Sequence, residues 1–411
     1  MDRTDSPVPD APRRGYASPL IDALRRNGHV LTLDGLTLLA AARFGFCWGV
    51  DKAVEIVEDA LETYPGRRIW LVNQMIHNPA VNRDLIRRGI RFIKGAYADG
   101  GGFEAVRAED VAVIPAFSSS VDEVKRLEAI GCTVIDTTCP WVLKPHLRTK
   151  RNIEAGFTTV IHATLGHDET RATCSLVVHE KGRYLVVRDE AEAGVLCDYL
   201  TGAIDGEALL AGLGAGASPG FDPGRDLGKI ALINQTTMLA SESRAIGAMI
   251  RRAVADRYGE DDLKDRFRDF DTICNATQDN QDAMVALVEE GRLDLMLVVG
   301  GFGSSNTRNL ARIAWKKIPT YHIEDAEDLG LRRIRYRRVD GDEPVETSDW
   351  LPAEGPLRVG FTAGASTPDT KLAEVMVRLA ALRGVDLEAA IADGSALAGA
   401  GGSGNRPGSP V

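Results

Sequence analysis

Three of the six cysteines, Cys47, Cys139 and Cys274, share one local setting: each falls where an extended apolar segment gives way to a helical one. The fullest example is Val134 to His146, in which the β-branched run Thr133-Val134-Ile135 stops at Asp136-Thr137-Thr138-Cys139 before Pro140 opens a helix. Cys47 lies between Gly45 and Gly49 ahead of a helical pattern at Ala53, Val54, Val57 and Leu61. Cys274 follows Phe270-Asp271-Thr272-Ile273 and precedes a helical pattern at Met284, Val285, Leu287 and Val288. A thiol at a helix N-terminus is expected to have a lowered pKa, and the thiolate is the form that binds metal. Three such thiolates suit either of two centres. One is a zinc ion with an open fourth position. The other is an iron–sulfur cluster whose unligated iron is a Lewis acid. The residues alone do not separate the two. Cys132 and Cys174 read as packing, and Cys197 as surface or packing.

A second group of residues suits an anion. Gly300-Gly301-Phe302-Gly303-Ser304-Ser305-Asn306 offers backbone N–H groups, hydroxyls and an amide at a helix start. No Gly-Lys-Ser/Thr follows, so this is not a Walker A loop. His77 and His167 could add charge-assisted bonds to the same anion, and Ser366 in Thr362-Ala363-Gly364-Ala365-Ser366 adds a hydroxyl. Glu169, two residues after His167, is the candidate proton source if its surroundings raise its pKa; the competing role is to cap the helix that begins near Thr170.

Seven short apolar runs, at 69–72, 111–114, 134–135, 160–161, 230–233, 295–299 and 357–361, each end in Ser, Thr, Asn, His or Gly and then a helical segment. Strands alternating with helices predict α/β architecture with parallel sheets, which hold ligands beyond the carboxyl ends of their strands. Residues 199–228 are Gly/Ala/Asp-rich and read as a surface insertion, while 1–18 and 396–411 read as a disordered lead and tail. The expected division is a first α/β domain with its lead-in segment over 19–138, a second over 139–271 and a third over 272–395.

At 411 residues, 44% hydrophobic and 26% charged, the composition is that of a globular protein of two or three domains. The net charge of −10 and the lack of a Lys/Arg block argue against a nucleic-acid surface. No apolar run approaches a membrane span, and sparse cysteines in a long chain predict a reducing cytoplasm rather than a disulfide framework.

Taken together, Phe44 to Val50, Asp136 to His146, Gly166 to Glu169, Asn234 to Thr237, Ile273 to Thr277, Ser304 to Asn306 and Thr362 to Ser366 resemble the 4-hydroxy-3-methylbut-2-enyl diphosphate reductase family. The similarity runs from about residue 19 to 390 and is nearest to the longer plant and cyanobacterial branch. It implies three pseudo-equivalent βα domains with parallel sheets around a central cavity that holds one [4Fe–4S] cluster per chain. Carried over, Cys47, Cys139 and Cys274 match the cluster ligands. His77, His167, Ser304, Ser305, Asn306 and Ser366 match the diphosphate cradle. Glu169 matches the proton donor, and Thr236 the hydroxyl that works with it. The implied reaction is a two-electron reductive dehydroxylation to isopentenyl and dimethylallyl diphosphates, the last step of the non-mevalonate isoprenoid pathway, with electrons from ferredoxin or flavodoxin. One departure stands out: Phe117 occupies a place where the short bacterial branch has a diphosphate-binding histidine. That contact is expected to be missing or replaced by Ser118 or Ser119, which leaves Phe117 outside the site. A zinc hydrolase and a non-catalytic iron–sulfur sensor are the alternatives of other classes.

Overall fold

The computed structural model describes residues 15–341 and 343–397. Most of the expected lead and tail, 1–14 and 398–411, lies outside the described residues. Their inner ends are structured: Tyr16 packs against Phe46, Ser18 caps the helix Pro19–Arg26, and Ala396 is buried. All seven predicted strands are present. The chain divides into two compact units, one of residues 49–278 and one that combines the segments up to Trp48 and from Asp279 onward.

The unit of 49–278 contains two four-stranded sheets, both wholly parallel. One runs in the order Arg91–Phe92, Ile69–Leu71, Val111–Ile114, Thr133–Asp136. The other runs Phe267–Asp269, Ile230–Asn234, Thr158–His162, Tyr184–Val187. Their central strands are buried on both faces, which is why they read as continuous β-branched runs rather than as alternations. The connecting helices start and stop on local signals. Val121–Ile130 opens on a Ser120/Glu123 capping box and closes on Gly131 in the left-handed region, and Pro140–Glu154 has proline at its first turn.

The other unit holds a seven-stranded sheet in the order Val30–Leu33, Leu36–Ala40, Leu357–Ala363, Leu295–Val299, Thr320–Ile323, Arg333–Arg337, Pro344–Ser348. Its four middle strands are parallel, and an antiparallel strand or hairpin closes each edge, so this sheet is mixed. The two strands at 30–40 do not lead into the first domain, as the sequence suggests. They instead complete this sheet, because Leu31, Leu36 and Leu38 bury against Leu297, Val359 and Phe361 in a single core.

The segment 199–228 is likewise not a surface insertion. It forms the helices Gly206–Leu213 and Pro223–Asp226, and Leu200, Leu209, Leu213, Phe221 and Leu227 join the core of the second parallel sheet. Its small and polar residues form the outer face of those helices and mask the buried leucines in a composition count. Because Leu209 is fully buried, Leu209→Ala is expected to lower stability by roughly 2–5 kcal/mol. Urea unfolding measures this; a surface insertion would show almost no change.

Candidate functional site

In the unit of 49–278 the predicted residues all follow the carboxyl ends of parallel strands, where an open α/β sheet binds ligands. Ile69–Leu71 leads to His77, Val111–Ile114 to Phe117 and Thr133–Asp136 to Cys139. In the second sheet Thr158–His162 leads to His167 and Glu169, Ile230–Asn234 to Thr236, and Phe267–Asp269 to Cys274.

Glu169 is buried at the second position of the helix Asp168–His179. It does not cap that helix; His167 does, accepting the Glu169 N–H at Nδ1 over 3.2 Å. The carboxyl group faces Thr236 and takes two bonds from it: Thr236 N–H donates to Oε1 and Thr236 Oγ1 to Oε2, both at 2.8 Å. No cation is within ion-pair distance of it among the described residues. Burial therefore outweighs the two bonds and pushes its pKa up to about 7. Thr236 is tied onward, since its carbonyl accepts the Cys274 N–H at 3.3 Å. The raised pKa that a proton source requires is thus present, and desolvation is its cause.

His77 and His167 are both buried, with ring centroids 4.6 Å apart. Burial holds His77 down to about 4 and His167 well below the ordinary value. Both are thus neutral imidazoles, without the charge that the expected charge-assisted bonds would need. Phe117, expected outside the site, belongs here: it stacks on His77 at 4.4 Å and meets His167 edge-on at 5.6 Å. A phenyl ring fills the volume of an imidazole without bringing a proton or a charge. Ser118 and Ser119 instead line a small polar cleft with Lys94, Glu123, Asp168 and Arg171. Only the shared strand-end register could have marked Phe117 for the site.

Cys139 is the N-cap residue of the helix Pro140–Glu154, and its N–H donates to Ala116 O at 3.0 Å. Cys274 Sγ lies 3.1 Å from Thr277 Oγ1 and accepts the Thr277 N–H at 3.4 Å. Helix-start N–H groups pull both thiols toward the thiolate, as expected, but burial is the larger effect and raises both pKa values. Glu169 adds to the rise at both, and Cys139 to that at Cys274, so these three groups lie within electrostatic reach of one another. Cys132, Cys174 and Cys197 pack into apolar clusters, and burial raises their pKa values too.

The other unit repeats the pattern. Leu36–Ala40 leads to Cys47, Leu295–Val299 to Ser304, Ser305 and Asn306, and Leu357–Ala363 to Ser366. Cys47 N–H donates to Ala365 O at 3.2 Å. Asn306 Oδ1 accepts the Ala365 N–H at 2.9 Å, and its Nδ2 is buried and unpartnered, a spare donor. Ser304 caps the helix Ser305–Trp315 by accepting the Thr307 N–H at 3.2 Å. Gly364 lets the two loops close together, since a Cβ there would stand 2.0 Å from Thr307 Oγ1.

The family model described as LytB protein matches residues 38–380 of this chain. The chain belongs to the LytB family. Curated relatives are named 4-hydroxy-3-methylbut-2-enyl diphosphate reductase. That of Gloeobacter violaceus is 44% identical over 92% of this chain and 90% of its own length. That of Thermosynechococcus vestitus is 42% identical over 90% of each. A solved (E)-4-hydroxy-3-methyl-but-2-enyl diphosphate reductase, titled the terminal enzyme of the non-mevalonate pathway, matches at 25% identity and a TM-score of 0.50, covering 83% of this chain and 98% of that one. The Plasmodium falciparum E-1-hydroxy-2-methyl-but-2-enyl-4-diphosphate reductase shares the fold at a TM-score of 0.61 and 20% identity, over 84% and 87% of the chains. The resemblance read from the motifs is borne out, including its cyanobacterial leaning, and a LytB-family reductase replaces the hydrolase and sensor alternatives.

LytB membership implies an iron–sulfur cofactor. The donors in the unit of 49–278 suit one: two unpaired cysteines begin helices, and Gly49 keeps space open at Cys139, where a Cβ would come within 2.5 Å of Sγ. Among the described residues no three His, Cys, Asp or Glu side chains form a ready-made metal group. No helix among them is long and apolar enough to cross a membrane.

The raised pKa of Glu169 has a sign that can be tested. Well below the ordinary value of 4.5, the group is protonated whether the chain is folded or not. Between 4.5 and about 7 the unfolded chain loses the proton first, so folding stability falls with rising pH and then levels off. Glu169→Gln removes this loss. Its melting temperature relative to wild type is expected to climb between pH 4.5 and 7 and to stay constant above that, as read by thermal unfolding across the range.

Proposed function

We propose that this LytB-family chain reduces 4-hydroxy-3-methylbut-2-enyl diphosphate to isopentenyl and dimethylallyl diphosphates, with Glu169 as the proton donor. The observation that carries the reading is the buried Glu169–Thr236 pair beside Cys139 and Cys274. A carboxylic acid with a pKa of about 7 keeps a proton available at neutral pH and can give it up without a large penalty.

The proposed ligands of a single [4Fe–4S] cluster are Cys47, Cys139 and Cys274. When bound, the cluster supplies the two electrons and a Lewis-acidic iron for the substrate hydroxyl. The chain's own residues do the rest. His77 and His167 donate to the diphosphate from their Nε2 atoms, and Ser304, Ser305, Asn306 and Ser366 supply hydroxyls and an amide for the same anion. Thr236 holds the Glu169 carboxyl in place and has a hydroxyl of its own to offer the substrate alcohol. The buried ring of Phe117 helps to exclude water so that the proton goes to the substrate. In balance, two electrons and two protons enter, the C–O bond breaks, water leaves, and a C–H bond forms at either end of the allylic system. The electron donor in this reading is ferredoxin or flavodoxin. The compartment is a reducing cytoplasm, which suits sparse, widely spaced cysteines in a long chain.

Anaerobic turnover of the hydroxylated diphosphate with a chemical reductant tests the whole reading; a protein that is colourless and zinc-loaded when purified anaerobically would overturn it. Glu169→Gln is expected to lose at least about a hundredfold in turnover while its visible absorbance and substrate affinity persist. Cys139→Ser should lose both colour and turnover, and Gly49→Ala should lower iron content by crowding the Cys139 thiol. Cys132→Ser should change none of these.

A further inference from the structure

Two residues to which no role has been given above, Gln74 and Asp168, bear on which nitrogen of His77 carries its proton. Asp168, the first residue of its helix, accepts from Asn73 Nδ2 at 2.8 Å and from Gln74 Nε2 at 3.3 Å. A carboxylate only accepts, so it draws the amide nitrogen of Gln74 toward itself and turns the amide oxygen away. The same nitrogen meets His77 Nδ1 at 2.9 Å. An N–H aimed at Nδ1 requires a lone pair there, which puts the proton of the neutral ring on Nε2. At His167 the Glu169 backbone N–H imposes the same choice by donating to Nδ1. The Nε2 atoms of both rings are buried and have no hydrogen-bond partner. Phe117, flat against one ring and edge-on to the other, restricts their rotation. Two buried donors without acceptors are costly in a folded protein unless a ligand supplies the acceptors.

We propose that Gln74, anchored by Asp168, is a positioning residue that locks His77 in the Nε2–H tautomer, so that His77 and His167 present a matched pair of neutral donors to one anion. The inference rests on the reading of these histidines as diphosphate ligands, and it adds what fixes their polarity. Were His77 free to place its proton on Nδ1, a lone pair would face the phosphate oxygens and repel them.

The test is nuclear magnetic resonance of the anaerobically purified holoenzyme with heavy-nitrogen-labelled histidine, which separates ring nitrogens that carry a proton from those that carry a lone pair. The His77 signals are assigned by their loss in His77→Asn. Wild type is expected to show Nδ1 bare and Nε2 protonated at His77. In Gln74→Glu the new carboxylate can only accept, so the Nδ1 signal should shift from the lone-pair position to the protonated one. The double variant Gln74→Glu/Asp168→Asn removes the repulsion between the two carboxylates and should show the same shift, which covers the case of a poorly folded single variant. A protonated Nδ1 in wild type, or a bare Nδ1 in both variants, overturns the proposal. Inorganic pyrophosphate added to wild type should move the Nε2 signals of His77 and His167. If Nδ1 behaves as stated and neither Nε2 moves, the tautomer lock is upheld and the diphosphate reading of the two histidines falls.

Discussion

The burial of a carboxyl group without a cation is the constraint on which the rest of this site depends. Glu169 has two hydrogen bonds from Thr236 and no balancing charge among the described residues, so the protein holds it at the edge of ionisation rather than as a settled anion. That state exists only because two strand ends of one parallel sheet bring residues 169 and 236 together. A salt-bridged carboxylate elsewhere in the chain behaves in the opposite way. Asp110, buried beneath Arg68 and accepting from Trp70 Nε1 and Arg107 N–H, is held below the usual range. The difference between a settled anion and a carboxyl near neutrality here is the presence or absence of a guanidinium.

The surroundings of Glu169 show why the neutral state is self-consistent. The imidazoles of His77 and His167 are neutral for the same reason that the carboxyl's pKa is raised: desolvation penalises the charged form of all three groups. Phe117 fits this logic, since a third imidazole in that position would have added another group to keep uncharged. The polarity that the site needs is supplied by hydrogen bonds of fixed direction rather than by formal charge. Such donors are set before a ligand arrives, and preorganised dipoles in a dry site stabilise developing charge more than mobile ones do.

The thiols follow the same balance with a different outcome. Cys139 and Cys274 receive N–H groups from helix starts, the setting that favours thiolate, yet burial keeps both protonated in the metal-free chain. Metal binding would exchange those protons for a cation, so assembly of the centre and deprotonation of its ligands are one event. Gly49 contributes by lacking a side chain, because any Cβ there would occupy the place of the Cys139 sulfur.

The order of chemistry along the chain was legible because it is local. Val111–Ile114, Leu295–Val299 and the other five apolar runs declare themselves by β-branched residues that end in polar ones, and the cysteines, Glu169 and Thr236 sit in motifs that survive as short strings. Strands without that signature, such as the charged hairpin Arg333–Arg337 and Pro344–Ser348, were not visible, since edge strands need no continuous apolar run. Pairing partners were not visible either: strands at 30–40 joined a sheet built from residues near 300 and 360, and leucines of 199–228 joined a core. Phe117, Gln74 and Asp168 took their roles from neighbours 3 to 95 positions away. What each residue can do is a property of its side chain, and the amino-acid order decided that much. Whether Glu169 keeps its proton, whether Cys139 loses its own and which nitrogen of His77 is bare depend on desolvation and donor direction, and these exist only once distant strand ends have been folded together.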